Sequence, residues 1–148
     1  MSVLSAQTIR KLKMIEPFYE RTLDRGLTFG LGPASYDLRI AEGAILRPGE
    51  FRLASSLEHF IFPANVHGEL KDKSTWARLG LTVKNTVFDP GFCGFATLEL
   101  TNDHHANNIV IPAGVAIAQM VFHFLDEPTE IPYSGKYQNQ PKGPQGPK

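Results

Sequence analysis

The chain has a single cysteine, Cys93, and no apolar run long enough to cross a bilayer. A lone thiol excludes an internal disulfide and fits a reducing compartment. A membrane-spanning helix needs roughly 18 or more largely apolar residues in succession. At the N-terminus, residues 5–13 are broken by Gln7, Arg10 and Lys11, so no signal-peptide core is expected there, and a cytoplasmic location is the expectation. Charge of one sign is missing as well. Fifteen Lys and Arg balance fifteen Asp and Glu, the formal net charge is zero, and like charges do not form runs. The electrostatic footprint of a nucleic-acid partner or an anionic membrane is therefore absent, and an anionic ligand should be a small one.

Helical signal is scarce too. Ser5 is placed to cap one short helix over residues 6 to about 14, with Ile9, Leu12 and Ile15 on one apolar side. Residues 17–33, containing Gly26, Gly30 and Gly32, read as an irregular crossing. Beyond them short apolar runs recur between Pro, Gly and Asn turns, at 36–40, 51–54, 59–62, 66–70, 81–88, 95–101, 108–111 and 115–125. Strands at that spacing predict an all-β barrel or double-sheet jelly roll. With 148 residues and 42% hydrophobic content, one domain with a real core is expected.

Residues 115–125 alternate Val115, Ile117, Gln119, Val121, His123 and Leu125 against Ala116, Ala118, Met120, Phe122 and Phe124. Both faces are largely apolar, and a small barrel has only one interior, so the second face predicts a subunit interface. Pro128, Pro132, Pro141, Pro144 and Pro147 then thin out the apolar content. The expected division is a ligand-binding β domain over 1–132 and a flexible tail over 133–148, either passively solvated or ordered by a ligand.

The densest chemistry lies in Lys73-Ser-Thr-Trp-Ala-Arg-Leu-Gly80 and Phe88-Asp-Pro-Gly-Phe-Cys-Gly94. Ser74 and Thr75 are good helix N-caps, Arg78 follows one turn later and Gly80 suits a C-cap, so 74–79 read as one helical turn. Its free N–H groups, the two hydroxyls, Lys73 and Arg78 could converge on a phosphate; a solvated surface turn is the alternative. Downstream, Asp89-Pro-Gly makes a turn, and Phe95, Thr97 and Glu99 share a strand face against Ala96, Leu98 and Leu100. A mid-strand carboxylate beside apolar neighbours is costly unless it is paired or moves a proton, although a Glu on the wet face of a sheet is a common arrangement.

These segments resemble the dCTP deaminase family, within the group it shares with the trimeric dUTPases. The similarity covers nearly the whole chain. It runs through Ala34-Ser-Tyr-Asp-Leu-Arg-Ile40, Leu46-Arg-Pro-Gly-Glu-Phe51, the residues 73–94, Leu98-Glu99-Leu100 and 114–122, and ends in Gly135-Lys-Tyr-Gln-Asn-Gln140. The resemblance implies a distorted β-barrel or jelly roll of the dUTPase-like type with a short N-terminal helix, a homotrimer, and active sites built between subunits. It also implies roles. Glu99 would be the acid/base residue, Ser74 and Arg78 would bind substrate and phosphates beside Lys73 and Thr75, and Asp89 would lie at the sugar. Tyr133, Lys136, Tyr137 and Gln140 would belong to a segment folding over the nucleotide, and magnesium would accompany the triphosphate. The interval Leu81-Thr-Val-Lys-Asn-Thr-Val-Phe88 is shorter than in the deaminases, which bears on base recognition through Lys84, Asn85 and Thr86.

Zinc nucleobase deaminases require a His or Cys plus two further cysteines in a Pro-Cys-x-x-Cys signature, which one cysteine does not supply. His59, His67, His104, His105 and His123 show no ligand spacing near a carboxylate. His104 and His105 read as hairpin-loop residues, and His123 as facing an interface or a satisfied core site. The expected function is zinc-independent deamination of dCTP to dUTP. A dUTP diphosphatase, a bifunctional enzyme running both steps, and a nucleotide-binding regulator without turnover are the alternatives.

Overall fold

Period-two alternation builds most of the molecule, and the computed structural model describes residues 2–84 and 86–148. In chain order the elements are β1 (Ser2–Val3), α1 (Ala6–Leu12), β2 (Ile15–Glu16), β3 (Thr22–Asp24), β4 (Leu27–Leu31), β5 (Tyr36–Arg39), β6 (Ala44–Leu46) and β7 (Phe51–Ile61). They continue with β8 (Val66–Asp72), α2 (Ser74–Ala77), β9 (Leu81–Val83), β10 (Val87–Phe88), β11 (Cys93–Asn102), β12 (Ile109–Ile111) and β13 (Ala116–Phe124). One antiparallel sheet runs β10-β8-β13-β5-β4-β3 with β1 paired to the end of β13, a second runs β2-β7-β11-β9, and β12 pairs with β6 as a ribbon. The all-β expectation with a short N-terminal helix holds. None of the described helices is long and apolar enough to cross a membrane.

The core lies between the two sheets. Ala96, Leu98 and Leu100 of β11 are buried, as are Ala118, Met120 and Phe122 of β13, and Phe62 joins Phe60, Phe88, Phe92 and Phe122 in an aromatic cluster. The opposite face of β13 is only partly covered within one chain: Ile117 is buried, while Gln119, Val121 and His123 are half-buried.

Several expected boundaries move, each for a visible reason. The helix stops at Leu12 rather than near 14 because Lys13 adopts a left-handed conformation, and Ser5 caps it with its backbone only, its hydroxyl meeting Thr8 Oγ1 instead. The supposed irregular crossing contains the β3–β4 hairpin, whose turn uses positive φ at Arg25 and Gly26. The runs 51–54 and 59–62 are one strand, because Ser56, Leu57 and Glu58 bulge opposite Ala96 without breaking the pairing. The run 81–88 divides instead: β9 pairs with β11 and β10 with β8, so it feeds both sheets, while Asn85 lies outside the described residues. His104 and His105 do not sit in a hairpin, since β11 and β12 belong to different sheets. His104 Nδ1 accepts the backbone N–H groups of Ala106 and Asn107.

Candidate active site

The bulge in β7 fixes how β11 presents its side chains. Ser56 Oγ accepts the Ala96 N–H at 2.8 Å and donates to the Glu58 carbonyl at 2.7 Å, so the bulge is plugged and the strand alternates without interruption from Cys93 to Asn102. Phe95, Thr97 and Glu99 consequently share the outward face while their neighbours pack into the core. Thr97 and Glu99 of that face form one wall of a cavity of about 790 Å³. Phe51 and Leu53 of β7 continue the wall, since Leu53 stands opposite Glu99 in register.

A second wall comes from the segment 86–92. Asp89 follows β10, and the turn after it is closed by the Phe92 N–H donating to the Asp89 carbonyl at 3.0 Å. Thr86, Asp89 and Phe92 line the same cavity as Glu99.

The third wall is the tail. Tyr133 donates its N–H to the Pro90 carbonyl at 2.8 Å, and its ring meets Phe92 edge-on at 5.8 Å. The Asn139 N–H donates to the Cys93 carbonyl at 2.8 Å, the Phe95 N–H to the Gln140 carbonyl at 3.0 Å, and Gln140 Nε2 to the Phe95 carbonyl at 2.7 Å. Gly94 makes this approach sterically feasible, for a Cβ there would lie 2.7 Å from the Gln140 nitrogen. Farther on, the Gly143 N–H donates to Ser55 Oγ at 3.0 Å and the Gln145 N–H to Thr97 Oγ1 at 3.3 Å. The tail thus crosses the Ser55–Thr97 pair and passes in front of the Glu99 face.

Six sequence-based candidates are therefore gathered in one place: Glu99, Asp89, Tyr133, Lys136, Tyr137 and Gln140. Gln140 is itself buried and committed to the Phe95 backbone, which makes it an anchor of the tail. The other four stand apart, as Lys73, Ser74, Thr75 and Arg78 do not line the cavity of their own chain. The α2 turn is capped by Lys73, with no side-chain cap hydrogen bond from Ser74 or Thr75, and Trp76 pins it to β13 through Nε1 to the Ala116 carbonyl at 2.8 Å. The helix ends at Ala77 rather than 79 and its C-cap is Arg78 in a right-handed conformation, not Gly80, which turns the chain two residues later with φ +98°. Lys73 is not free to meet an anion with the others, because its ammonium is paired to Asp37 Oδ2 at 2.5 Å in a half-buried setting.

Phe51, Leu53, Phe92 and Gln145 were not singled out as site residues in the sequence. Phe51 and Leu53 sit in a short apolar run that reads only as a strand, Phe92 lies in the turn segment without a role of its own, and Gln145 falls in a stretch whose composition gives no position. Spacing also concealed a histidine arrangement: pairing of β8 with β13 brings His67 Nε2 and His123 Nε2 to 3.8 Å and 3.5 Å from the carboxylate of Glu69. Lys71 Nζ reaches the same carboxylate at 3.5 Å, and its charge, foremost, holds that carboxylate below the usual range. Among the described residues no group of three or more His, Cys, Asp or Glu is arranged to hold a metal ion.

Chemically, the cavity offers two carboxylates on separate walls, flat aromatic surfaces from Phe92, Tyr133 and Tyr137, and one ammonium from Lys136. It suits a ligand with a flat polar ring and a hydroxylated linker.

A family model described as dCTP deaminase-like matches residues 38–125, more than half of the chain. Curated relatives include a dUMP-forming dCTP deaminase of Corynebacterium glutamicum, 43% identical over 109 residues, which cover 72% of this chain but only 57% of that protein's length. A dCTP deaminase of Campylobacter concisus is 33% identical with 95% of each chain covered. Among solved structures, the 2′-deoxycytidine 5′-triphosphate deaminase of Agrobacterium tumefaciens superposes with a TM-score of 0.66 at 20% identity, covering 80% of this chain and 47% of that one. The dUTPase of EIAV superposes with a TM-score of 0.61 at 19% identity, covering 83% and 97%. A dUTPase of phage phi11 of S. aureus, in which a structural Mg(II) ion is coordinated, gives 0.60 at 17% identity, covering 81% and 92%. At these identities the structural likeness establishes the dUTPase-like fold, and the sequence matches establish the lineage: the chain belongs to the dCTP deaminase-like family.

Proposed function

We propose that this chain hydrolyses dCTP to dUTP and ammonia, with Glu99 as the group that moves the proton. The observation that carries the reading is the convergence of Glu99, Asp89 and the tail residues Tyr133, Lys136 and Tyr137 on one cavity. In this reading the Glu99 carboxylate accepts a proton from water as the water oxygen bonds to C4 of cytosine. It passes that proton to N3 of the ring, takes the remaining hydroxyl proton as the C4=O bond forms, and gives it to the departing amine as the C4–N4 bond breaks, so that ammonia leaves and the uracil ring remains. Asp89 accepts a hydrogen bond from the deoxyribose 3′-hydroxyl, Tyr133 and Tyr137 cover the nucleotide, and Lys136 supplies charge for phosphate.

The donor set suits magnesium carried on the triphosphate's own oxygens rather than caged by the protein, since no ligand cluster of three or more is present among the described residues. Such an ion would screen phosphate charge during binding. No zinc is needed at the reacting carbon in this proposal.

Ser74 and Arg78 lie outside their own chain's cavity, so their role in substrate binding requires a second copy. A homotrimer in which the α2 turn of one protomer meets the cavity of its partner supplies it, and the half-covered outer face of β13 is consistent with such an assembly.

A second reading is favoured by the Corynebacterium relatives, which are named as dUMP-forming. Here Asp89 also orients a water toward the α-phosphate, so that dUTP is cleaved to dUMP and diphosphate in the same cavity. Incubation with dCTP and with dUTP in the presence of magnesium, followed by anion-exchange separation, tests both. dUTP as the final product from dCTP supports the first reading, dUMP the second, and no turnover of either nucleotide overturns both.

A further inference from the structure

We infer that Gln138 is the positioning residue that latches the closing tail to the turn carrying Asp89, an inference that rests on the nucleotide reading of the cavity. Its carboxamide is used at both ends. Oε1 accepts the Cys93 N–H at 2.8 Å, and Nε2 donates to the Gly91 carbonyl at 2.9 Å and to the Tyr133 carbonyl at 3.2 Å. One side chain therefore bridges three backbone points: one two residues beyond Asp89, one on the first residue of β11, and one at the start of the tail. Gln138 itself does not line the cavity. The residues it brackets do: Asp89 on the turn, Tyr133 before it and Tyr137 beside it.

The geometry explains why a primary amide is suited to the position. The two carbonyls need a donor and the Cys93 N–H needs an acceptor, which a carboxamide provides in a single plane. The turn offers little room for adjustment, as a Cβ on Gly91 would lie 2.8 Å from the Pro132 side chain. The Tyr133 hydroxyl adds a further tie by accepting the Tyr137 N–H at 3.0 Å, so the loop between Tyr133 and Gln138 is closed on itself. Loss of the carboxamide donors should let the tail leave the turn without disturbing either sheet. Tyr133, Lys136 and Tyr137 would then lose their place over the ligand while Glu99 stays where the sheet puts it.

The test uses the full-length protein and two substitutions. Gln138→Glu is isosteric and keeps the acceptor for Cys93, but sets carboxylate oxygens against the Gly91 and Tyr133 carbonyls; Gln138→Ala removes all three bonds. In nucleotide-free protein, both variants should be cut by protease within 133–148 about tenfold faster than wild type, the scale expected for losing buried hydrogen bonds. The dissociation constant and KM for dCTP or dUTP with magnesium should rise by about tenfold, with kcat changing less than KM and the thermal midpoint held within a few degrees. Unchanged cutting rates in both variants overturn the latch. A wild-type response from Gln138→Glu beside a damaged Gln138→Ala overturns it as well, because side-chain volume would then be what matters. Wild-type protein that binds neither nucleotide sinks the proposed function, and the cutting rates still decide the latch.

Discussion

Arg39 and Glu58 meet inside the fold: Arg39 Nε donates to Glu58 Oε1 at 2.8 Å, and the Arg39 backbone N–H donates to Oε2 at 2.9 Å. The pair ties β5 of the larger sheet to the bulge of β7 in the smaller one. Glu58 is fully buried, and the Arg39 guanidinium is stacked 4.5 Å from the Phe29 ring centre and 4.9 Å from that of Tyr19. Burial pushes the Glu58 carboxyl up, while the hydrogen bonds from Arg39 oppose that shift.

Removing one partner should therefore cost far more than removing both. Glu58→Leu alone strands a buried guanidinium and is expected to destabilise the protein by about 3–5 kcal/mol, whereas Arg39→Met with Glu58→Leu should recover most of that loss. Denaturant unfolding of the two singles and the double measures the difference. Additive losses would show that the charges act independently.

For the chemistry, Glu99→Gln should keep triphosphate affinity within a few-fold and lower dCTP turnover by roughly 10² or more, the scale of lost general acid–base catalysis. Asp89→Asn should abolish any dUTP cleavage while Glu99→Gln leaves it largely intact. Turnover of dCTP that is unchanged in Glu99→Gln removes Glu99 from the mechanism.

Sites shared between copies predict complementation. Arg78→Ala and Glu99→Gln should each be nearly inactive alone, yet unfolding and refolding them together in equal amounts should restore roughly a quarter of the wild-type sites, since each site draws the two residues from different protomers. Light scattering should give about three times the 16.4 kDa chain mass. A mixture no more active than its components would place both residues on the same chain's site.

Alkaline stability depends on Tyr36. Its phenol is fully buried, and burial pushes its pKa from 10.0 up to about 12, opposed by the hydrogen bond from the Tyr19 N–H. A raised folded-state value favours the protonated form, so this contribution is complete below pH 10 and is lost as pH rises through about 12. Tyr36→Phe should flatten the stability–pH curve over that interval, which urea unfolding at stepped pH measures. An equally steep loss in the variant would assign it to other groups.

Much of this was legible in the chain because alternation is a local property. The Glu99 face and the strand recurrence need only neighbouring residues to be read. Features that depend on distant partners were hidden. The β7 bulge is visible only against Ala96, the division of residues 81–88 requires two sheets, and the Lys73–Asp37 pair joins positions far apart in the chain. The tail residues have roles through resemblance; Gln138 lies in the same run without one, because its bonds go to backbone atoms whose identity leaves no trace in composition.

The tail is recognised chiefly through main-chain atoms of residues 90–95, with Gly94 as a position where a single methyl group would push it away. Its address is thus written in backbone shape rather than in matched side chains. The side chains of Lys136 and Gln145, which line the ligand space, spend their hydrogen bonds within the tail, on the Lys148 and Gly143 carbonyls. A lineage could exchange them and retune which nucleotide is accepted while the strap kept its path, so that selectivity and closure evolve as separable traits.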